Sequence, residues 1–355
     1  MQFFHIFTTI ERHHLHIRCN PMNKHHNIAA NQPFNVNKLV NLLILGIISV
    51  GCSMTSNPTN HGVAYITNQG DNTVSVIDTS SNLVSHTITV GKAPVGVAVS
   101  AILQRAYITN VESQEISVID TQSNQVIDTI KIKGSPVGIA LSPDDKTLYV
   151  ADWFENRILS INTKETSSFR ELKIGEAPAG LIVSPDNQKL YVANRDSNDV
   201  AVIDTATFTI EKRIPVGKHP YGINLSKSGN LLVSVNVKED TISLINTKKY
   251  ELQTIKVGYH PYCAAFSLDE KTLYVTNTQD DSVTVLDIAT KKIIATIEVG
   301  STPEGISLDY VNDRGYIANW GSNNVSVIDT NTNKLITTIK TGEKSRAFGQ
   351  FIAIH

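Results

Sequence analysis

The sequence predicts an all-β protein, a seven-bladed β-propeller of four-stranded antiparallel blades, and three observations predict it. The first is self-similarity at a fixed period. The tetrads YITN (65–68), YITN (107–110), YVAD (149–152), YVAN (191–194), VSVN (233–236), YVTN (274–277) and YIAN (316–319) start 42, 42, 42, 42, 41 and 42 residues apart. The second is that every period holds four short apolar-alternating runs separated by turn residues. The third is composition: 41% of residues are apolar and only 18% charged, with Val, Thr, Ser and Asn abundant and no stretch of helical period.

Each run has its own justification. The tetrad is β-branched and aromatic. Thirteen residues after its start lies an Asp or Asn that ends VSVID, ISVID, ILSIN, VAVID, ISLIN, VTVLD or VSVID. Thr follows that residue in six copies, a turn signature through local side-chain bonds. A third run of the type HTITVG or ATIEVG comes next. The fourth begins at Pro in PVGVAVS, PVGIALS, PAGLIVS, PYGINLS, PYCAAFS and PEGISLD. In PVGVAVS, Gly96, Ala98 and Ser100 share one face and Val95, Val97 and Val99 the other. Small residues on one face suit the converging centre of a ring, so this strand is expected innermost. Loops such as SPDDK and SPDNQ then turn the chain into the next tetrad. The first blade lacks an inner strand, and the C-terminal EKSRAFGQFIAIH is a surplus one. Residues 346–354 are therefore expected to pair beside Ala64–Asn68 and close the ring, which removes open sheet edges.

Residues 61–355 form this propeller. Upstream, KLVNLLILGIISVGC (38–52) is an apolar run too short for the roughly 20 residues of a membrane-spanning helix. It suits the apolar region of an export signal. Gly51-Cys52 resembles the end of a bacterial lipobox, with Ser49 standing where Leu is usual. Residues 1–52 are thus expected to be a leader with Cys52 the lipidated residue, and 53–60 a flexible tether. Met22 offers a second start, which would leave 1–21 outside the protein. The alternative is a simple cleaved signal and a soluble, secreted or periplasmic protein. Processing leaves Cys263 as the single cysteine, so no internal disulfide staples the fold. Removing the four Lys/Arg and one Glu of residues 1–52 from totals of 31 and 33 leaves 27 basic and 32 acidic residues. That acidic balance argues against nucleic acid as a partner.

The tetrad, the VSVID-T segment and the VG-x-x-P-x-G junction resemble the YVTN-repeat β-propeller family, which includes YncE-like periplasmic proteins and repeats of cell-surface layer proteins. The resemblance covers residues 61–355. It departs at Val233, which replaces Tyr, and at Ser345 and Ala347, which replace the junction Pro and Gly. It implies the propeller fold and a ligand entrance at the outer-to-inner junctions. It implies less about activity, since similar propellers include haem d1 domains, quinoprotein heavy chains, lactonases and a metal-dependent antibiotic lyase.

The junction face is legible position by position. After the junction Pro stand Val95, Val137, Ala179, Tyr221, Tyr262 and Glu304, with Arg346 in the last copy; His219 and His260 stand before it in blades five and six. The loops after the tetrads add Trp153, Arg195 and Trp320. Small apolar groups at the first three junctions along the chain give way to His, Tyr, Glu and Arg at the others. A ligand-binding face of His219, Tyr221, His260, Tyr262, Glu304, Arg346, Trp153, Trp320 and Arg195 is therefore expected. Against that stands a structural reading, with each indole capping its own blade and Glu304 and Arg346 forming an exposed pair. His219, His260 and Glu304 are a candidate set of divalent-metal ligands, although no local H-x-x-x-H spacing supports them. Cys263 is expected in the packing between blades. The tetrad Asn and Asp residues read as turn-satisfying groups rather than a metal ring, and Asp78, Asp120, Asp204, Asp287 and Asp329 as perimeter turns. The sequence indicates no organic cofactor and no catalytic set: it carries no Gly-rich phosphate loop, no G-x-S-x-G and no haem-attachment motif.

Two functions follow. The first is a monomeric, lipid-anchored cell-envelope propeller that binds a small-molecule ligand or an envelope protein through this face, its membrane contact made through Cys52. The second is a metal-dependent lactonase- or lyase-type enzyme with its site at the funnel mouth.

Overall fold

The computed structural model describes residues 62–354. The leader, the Cys52 lipidation and the tether expected from sequence fall outside the described residues. Seven sheets follow one another along the chain. Blade 1 is built from Gly62–Asn68, Thr73–Asp78 and Leu83–Thr89, and Ile352–Ile354 completes it. Blade 2 runs Pro94–Ser100, Arg105–Asn110, Glu115–Asp120 and Gln125–Lys131, all antiparallel. Blades 3 to 7 repeat this order, with inner strands Pro136–Leu141, Pro178–Val183, Pro220–Leu225, Pro261–Phe266 and Pro303–Asp309.

The strand that starts at Pro is innermost, as the sequence predicts, since inner strands of successive blades touch around the axis. Glycine makes that approach possible. A methyl at Gly96, Gly138, Gly180, Gly222 or Gly305 would collide with the carbonyl oxygen of Val137, Ala179, Tyr221, Tyr262 or Ala347 on the next blade. Each of these inner strands also slips register just after its proline. Where the tetrad carries Thr, its hydroxyl fills the gap: Thr109 Oγ1 accepts from Gly96 N–H at 2.7 Å and donates to Val137 O at 3.0 Å.

The core lies between blades. One buried cluster runs from Tyr316 and Val327 of blade 7 through Tyr65 and Ile77 of blade 1 to Val97 and Ile108 of blade 2. Each fully buried side chain of this size contributes roughly 1.5–3 kcal/mol. Tetrad tyrosines bridge neighbours as well: the Tyr274 hydroxyl donates to Thr330 O at 3.0 Å and that of Tyr316 to Thr79 O at 3.1 Å. The second bond joins the last blade to the first.

Closure occurs where predicted, with one difference. Ile352 and Ala353 pair with Ala64 and Val63, and Arg346 N–H donates to Thr67 O at 2.8 Å. Residues 346–354 are nevertheless not one continuous strand. Ser345 and Ile352, seven apart, face Asn68 and Ala64; in blade 2 Pro94 and Val99, five apart, face Asn110 and Ala106. The two surplus residues swing Phe348–Gln350 out of the blade, where they pair in parallel with Gly96–Ala98. That bond satisfies an inner edge that would otherwise face the axis unpaired.

Candidate functional site

The junction face is organised in two rings. The outer ring is set by backbone. The residue after each tetrad donates its N–H to the carbonyl of the residue before the junction proline, as in Arg195 to Ala177, Val237 to His219 and Trp320 to Thr302. The pre-proline residue holds positive φ in Ala93, Ala177, His219, His260 and Thr302 (49–54°), as does Lys344 at 56°. Its own N–H is taken by an Asn or Asp side chain about half a repeat earlier. Asn198 Oδ1 accepts from His219 and Asp240 Oδ1 from His260, both at 2.9 Å. His219 and His260 therefore stand where the repeat dictates, half-buried on the face.

Blade 3 breaks the pattern. The matching Asn position is Gln114, and the Ser135 N–H turns instead to Asp152 Oδ1 at 2.8 Å. A side chain one methylene longer no longer fits the short Asx bridge.

The inner ring is the post-proline set, and it converges on the axis. Tyr221 and Tyr262 stack with ring centroids 4.4 Å apart, and Phe348 lies 4.9 Å from Tyr221 and 6.3 Å from Tyr262. Val95, Val137, Ala179 and Tyr221 share one buried cluster with Phe348 and Cys263. Around this plug, Arg346 Nε donates to Glu304 Oε2 at 2.5 Å and Nη2 to the Tyr262 hydroxyl at 2.6 Å. Nη1 reaches Gln69 Oε1 at 3.4 Å, the same oxygen that accepts the Trp320 indole N–H at 3.2 Å. Burial pushes the Glu304 carboxyl above its ordinary range while Arg346 opposes the rise. The Tyr262 phenol is held well above its usual value, first by burial.

Several expectations need correction. Glu304 and Arg346 are not an exposed pair; their side chains are only 9% and 18% exposed. The three candidate metal ligands do not come together. Glu304 is committed to Arg346, His219 Nε2 faces Asp196 Oδ1 at 4.0 Å, and His260 Nδ1 faces Asp240 Oδ1 at 4.0 Å. Among the described residues no three His, Cys, Asp or Glu side chains form a metal-ligand group. The physical reason is radial: post-proline side chains point to the axis, while pre-proline ones, at positive φ, stay out on the face. Trp153 does not cap its own blade either. Its ring lies 5.8 Å from that of Tyr221, two blades on, with Arg195 Cζ 5.5 Å above it. Trp320 carries Lys344 Nζ at 5.2 Å in the same way. Cys263 is buried as expected, but it also lines an axial cavity beneath the plug.

The tetrad Asn residues are structural, by a mechanism other than turn-bonding. Asn236 Nδ2 donates to Thr241 and Ser243 in the adjacent strand, and Asn277 to Ser282 and Thr284. The perimeter aspartates do cap turns, as Asp204 Oδ1 does for Thr207 N–H at 2.8 Å.

Gln69 and Phe348 belong to the site and were not singled out from sequence. Gln69 occupies the position of Trp153 and Trp320, so the repeat alignment could have shown it. The pull of Phe348 to the axis depends on the two surplus residues, which have no following tetrad to align against.

Fold and site define a seven-bladed β-propeller with an aromatic-plugged junction face, and the comparisons agree on the class. Residues 161–257 match the family described as lactonase, 7-bladed beta-propeller. The chain is 55% identical over 49 residues to the PE-PGRS family protein PE_PGRS18 of Mycobacterium tuberculosis. That segment is 12% of this chain and 11% of the relative, so the likeness is local. Kuenenia stuttgartiensis hydrazine synthase superposes with TM-score 0.69 at 24% identity, over 75% of this chain and 92% of that one. A functionally unknown protein from Desulfotomaculum acetoxidans superposes with TM-score 0.72 at 18% identity, over 83% and 99%. Both structural likenesses establish the fold alone.

Proposed function

We propose that this chain is a cell-envelope propeller of the YVTN-repeat, YncE-like type, tethered through Cys52, that holds a small-molecule ligand or an envelope protein on its junction face. One observation carries the reading. Both tryptophans of the chain stand at a single repeat position, half-buried, each with a cation over its ring, beside a mouth floored by Tyr221 and Tyr262. The equivalent residues of the other blades are Gln69, Val111, Arg195, Val237 and Thr278. Fold geometry alone gives no reason for two indoles here, whereas aromatic and Arg side chains dominate binding hot spots.

The test uses a photo-crosslinking residue at Phe154, which is 57% exposed beside Trp153, or at Ile102, 82% exposed on the opposite face. Crosslinks in cells from position 154, lost on Trp153→Ala with Trp320→Ala, are expected. Equal capture from 102 would refute the assignment of the face. For the anchor, Cys52→Ser should move the protein from the membrane to the soluble fraction.

A second reading, a lactone-hydrolysing enzyme, is favoured by the family match over residues 161–257, which contain Arg195, His219 and Tyr221. Hydrolysis of a simple lactone that is abolished by His219→Ala would support it. Turnover indistinguishable from buffer, with or without added divalent metal, removes it.

A further inference from the structure

The same two surplus residues that interrupt the closing strand divide the axis of the propeller. Above Phe348 the channel is filled by Tyr221 and Tyr262. Below it lies a cavity of about 390 Å³, roofed by Phe348, Gly349 and Cys263 and reaching the inner-strand turn at Ser142–Asp145 on the face opposite the junctions. The roof needs glycine: Gly349 sits at φ +114°, and a methyl there would press on Val97 O. A ring of this repeat closes without these residues, since every other blade does without them, so the roof is an addition to the fold.

The size lies within the roughly 300–1,000 Å³ range of small-molecule sites. The walls are Ile139, Leu181, Ile223, Ile306 and Ile352, among which stand the carboxamides of Asn224 and Gln350, with Ser142 and Asp145 at the mouth. Asn224 stands where other inner strands carry Ala98, Ala140, Ile182, Ala265 and Ser307. Among the described residues neither carboxamide hydrogen-bonds to another protein group. A carboxamide offers donors and an acceptor together, and with Gln350 exposed and Asn224 half-buried both are open to pair with the polar edge of a ligand. Asp145 at the mouth makes no ion pair among the described residues, which disfavours anions at the entrance.

We propose that this blind chamber is a second binding site, distinct from the junction face, for a small neutral molecule with an apolar body and an amide-type donor–acceptor edge. The apolar body packs on Ile139, Leu181, Ile223 and Ile306. The polar edge is read by Asn224 and Gln350. Nothing in this assignment depends on what the junction face binds.

The test uses the full chain and benzamide as probe, with benzoate and toluene as controls of matched shape, read by calorimetry and by soaked crystals. Benzamide is expected to bind in the chamber, benzoate and toluene at least about tenfold more weakly, a difference of one factor of ten in Kd. Asn224→Leu and Gln350→Met should each weaken benzamide by about tenfold while the melting temperature holds. Trp153→Ala with Trp320→Ala should leave it unchanged. Toluene binding as tightly as benzamide, ordered water only in the soaked chamber, or unaltered affinity in Asn224→Leu would each overturn the proposal.

Discussion

Arg346 Nε lies 2.5 Å from Glu304 Oε2, which joins the closing segment of the chain to the inner strand Pro303–Asp309 of blade 7. The guanidinium also donates to Tyr262 on the blade before Glu304 and to Gln69 on the blade after it. One side chain from the closing segment thus ties together three blades.

Removing one partner of this pair leaves a buried charge uncompensated, which costs about 3–5 kcal/mol. Arg346→Ala is expected to lower the unfolding free energy obtained from urea titration by that amount, seen as a lower midpoint. Glu304→Gln, which keeps an acceptor, should cost less. Replacing both together, Glu304→Leu with Arg346→Met, should recover most of the loss. A single Arg346→Ala variant as stable as the parent in urea would show that the latch carries no stability.

Gly138 is expected to be the least replaceable position in the repeat. A methyl group there meets the Ala179 carbonyl, which is backbone and cannot rotate away. Gly138→Ala should destabilise by about 3 kcal/mol, the upper end of ordinary overpacking. Gly229 provides the contrast: it lies in a turn at φ +74°, where an added methyl would meet only the Pro185 ring of blade 4, at 3.0 Å, so its replacement chiefly strains backbone. Parallel thermal melts of the two Ala variants distinguish crowding from conformational strain.

How much of this was legible follows from where each feature is encoded. Blades are local: tetrad, turn and Pro-x-Gly segment each specify their own piece, so seven copies in register gave the ring and its closure. Radial depth is not local. Whether Glu304 is exposed depends on Tyr221, Tyr262 and Phe348, contributed by three different segments, and no spacing in the chain reports it. The pairing of the histidines with Asp196 and Asp240 likewise depends on positive φ before proline, a conformation that the X-Pro sequence argues against. Gln114 stands in the sequence where the other copies carry Asn or Asp, but its effect on Ser135 appears only once the Asx bridge is known from the other blades.

Acid should unfold the propeller in two separable windows. Burial, with Arg195 and Lys238 nearby, holds His219 and His260 below their ordinary 6.5. The unfolded chain then binds more protons below 6.5, so their contribution is present above that pH and lost as pH falls through the lowered values. Hydrogen bonds from turn N–H and hydroxyl groups hold Asp120, Asp204 and Asp287 below 3.8. Their contribution is likewise full above about pH 4 and lost beneath it. Melting temperature should fall on acidification in both ranges. His219→Gln with His260→Gln should flatten only the upper range, and Asp204→Asn with Asp287→Asn only the lower. Identical profiles for parent and variants would show that these groups do not govern acid stability.

The Asx bridge offers the sharpest dissection of how the face is held. Asn198 does two things: it occupies φ 57°, which Asn tolerates better than most residues, and its Oδ1 accepts the His219 N–H. Asp performs both tasks in blade 5, where Asp240 sits at φ 56° and serves His260. Asn198→Asp is therefore expected to be nearly silent. Asn198→Gly keeps the backbone conformation and loses the acceptor, at a cost of about 1 kcal/mol. Asn198→Ala loses both and should cost about 1–2 kcal/mol more, since a non-glycine residue in the left-handed region is disfavoured. Because Trp153 leans on Tyr221 two residues beyond His219, its emission should change in the Gly and Ala variants and not in the Asp variant. The ranking Asp, then Gly, then Ala in urea midpoints separates the hydrogen bond from the dihedral. Equal losses in Gly and Ala would assign the whole effect to the missing acceptor.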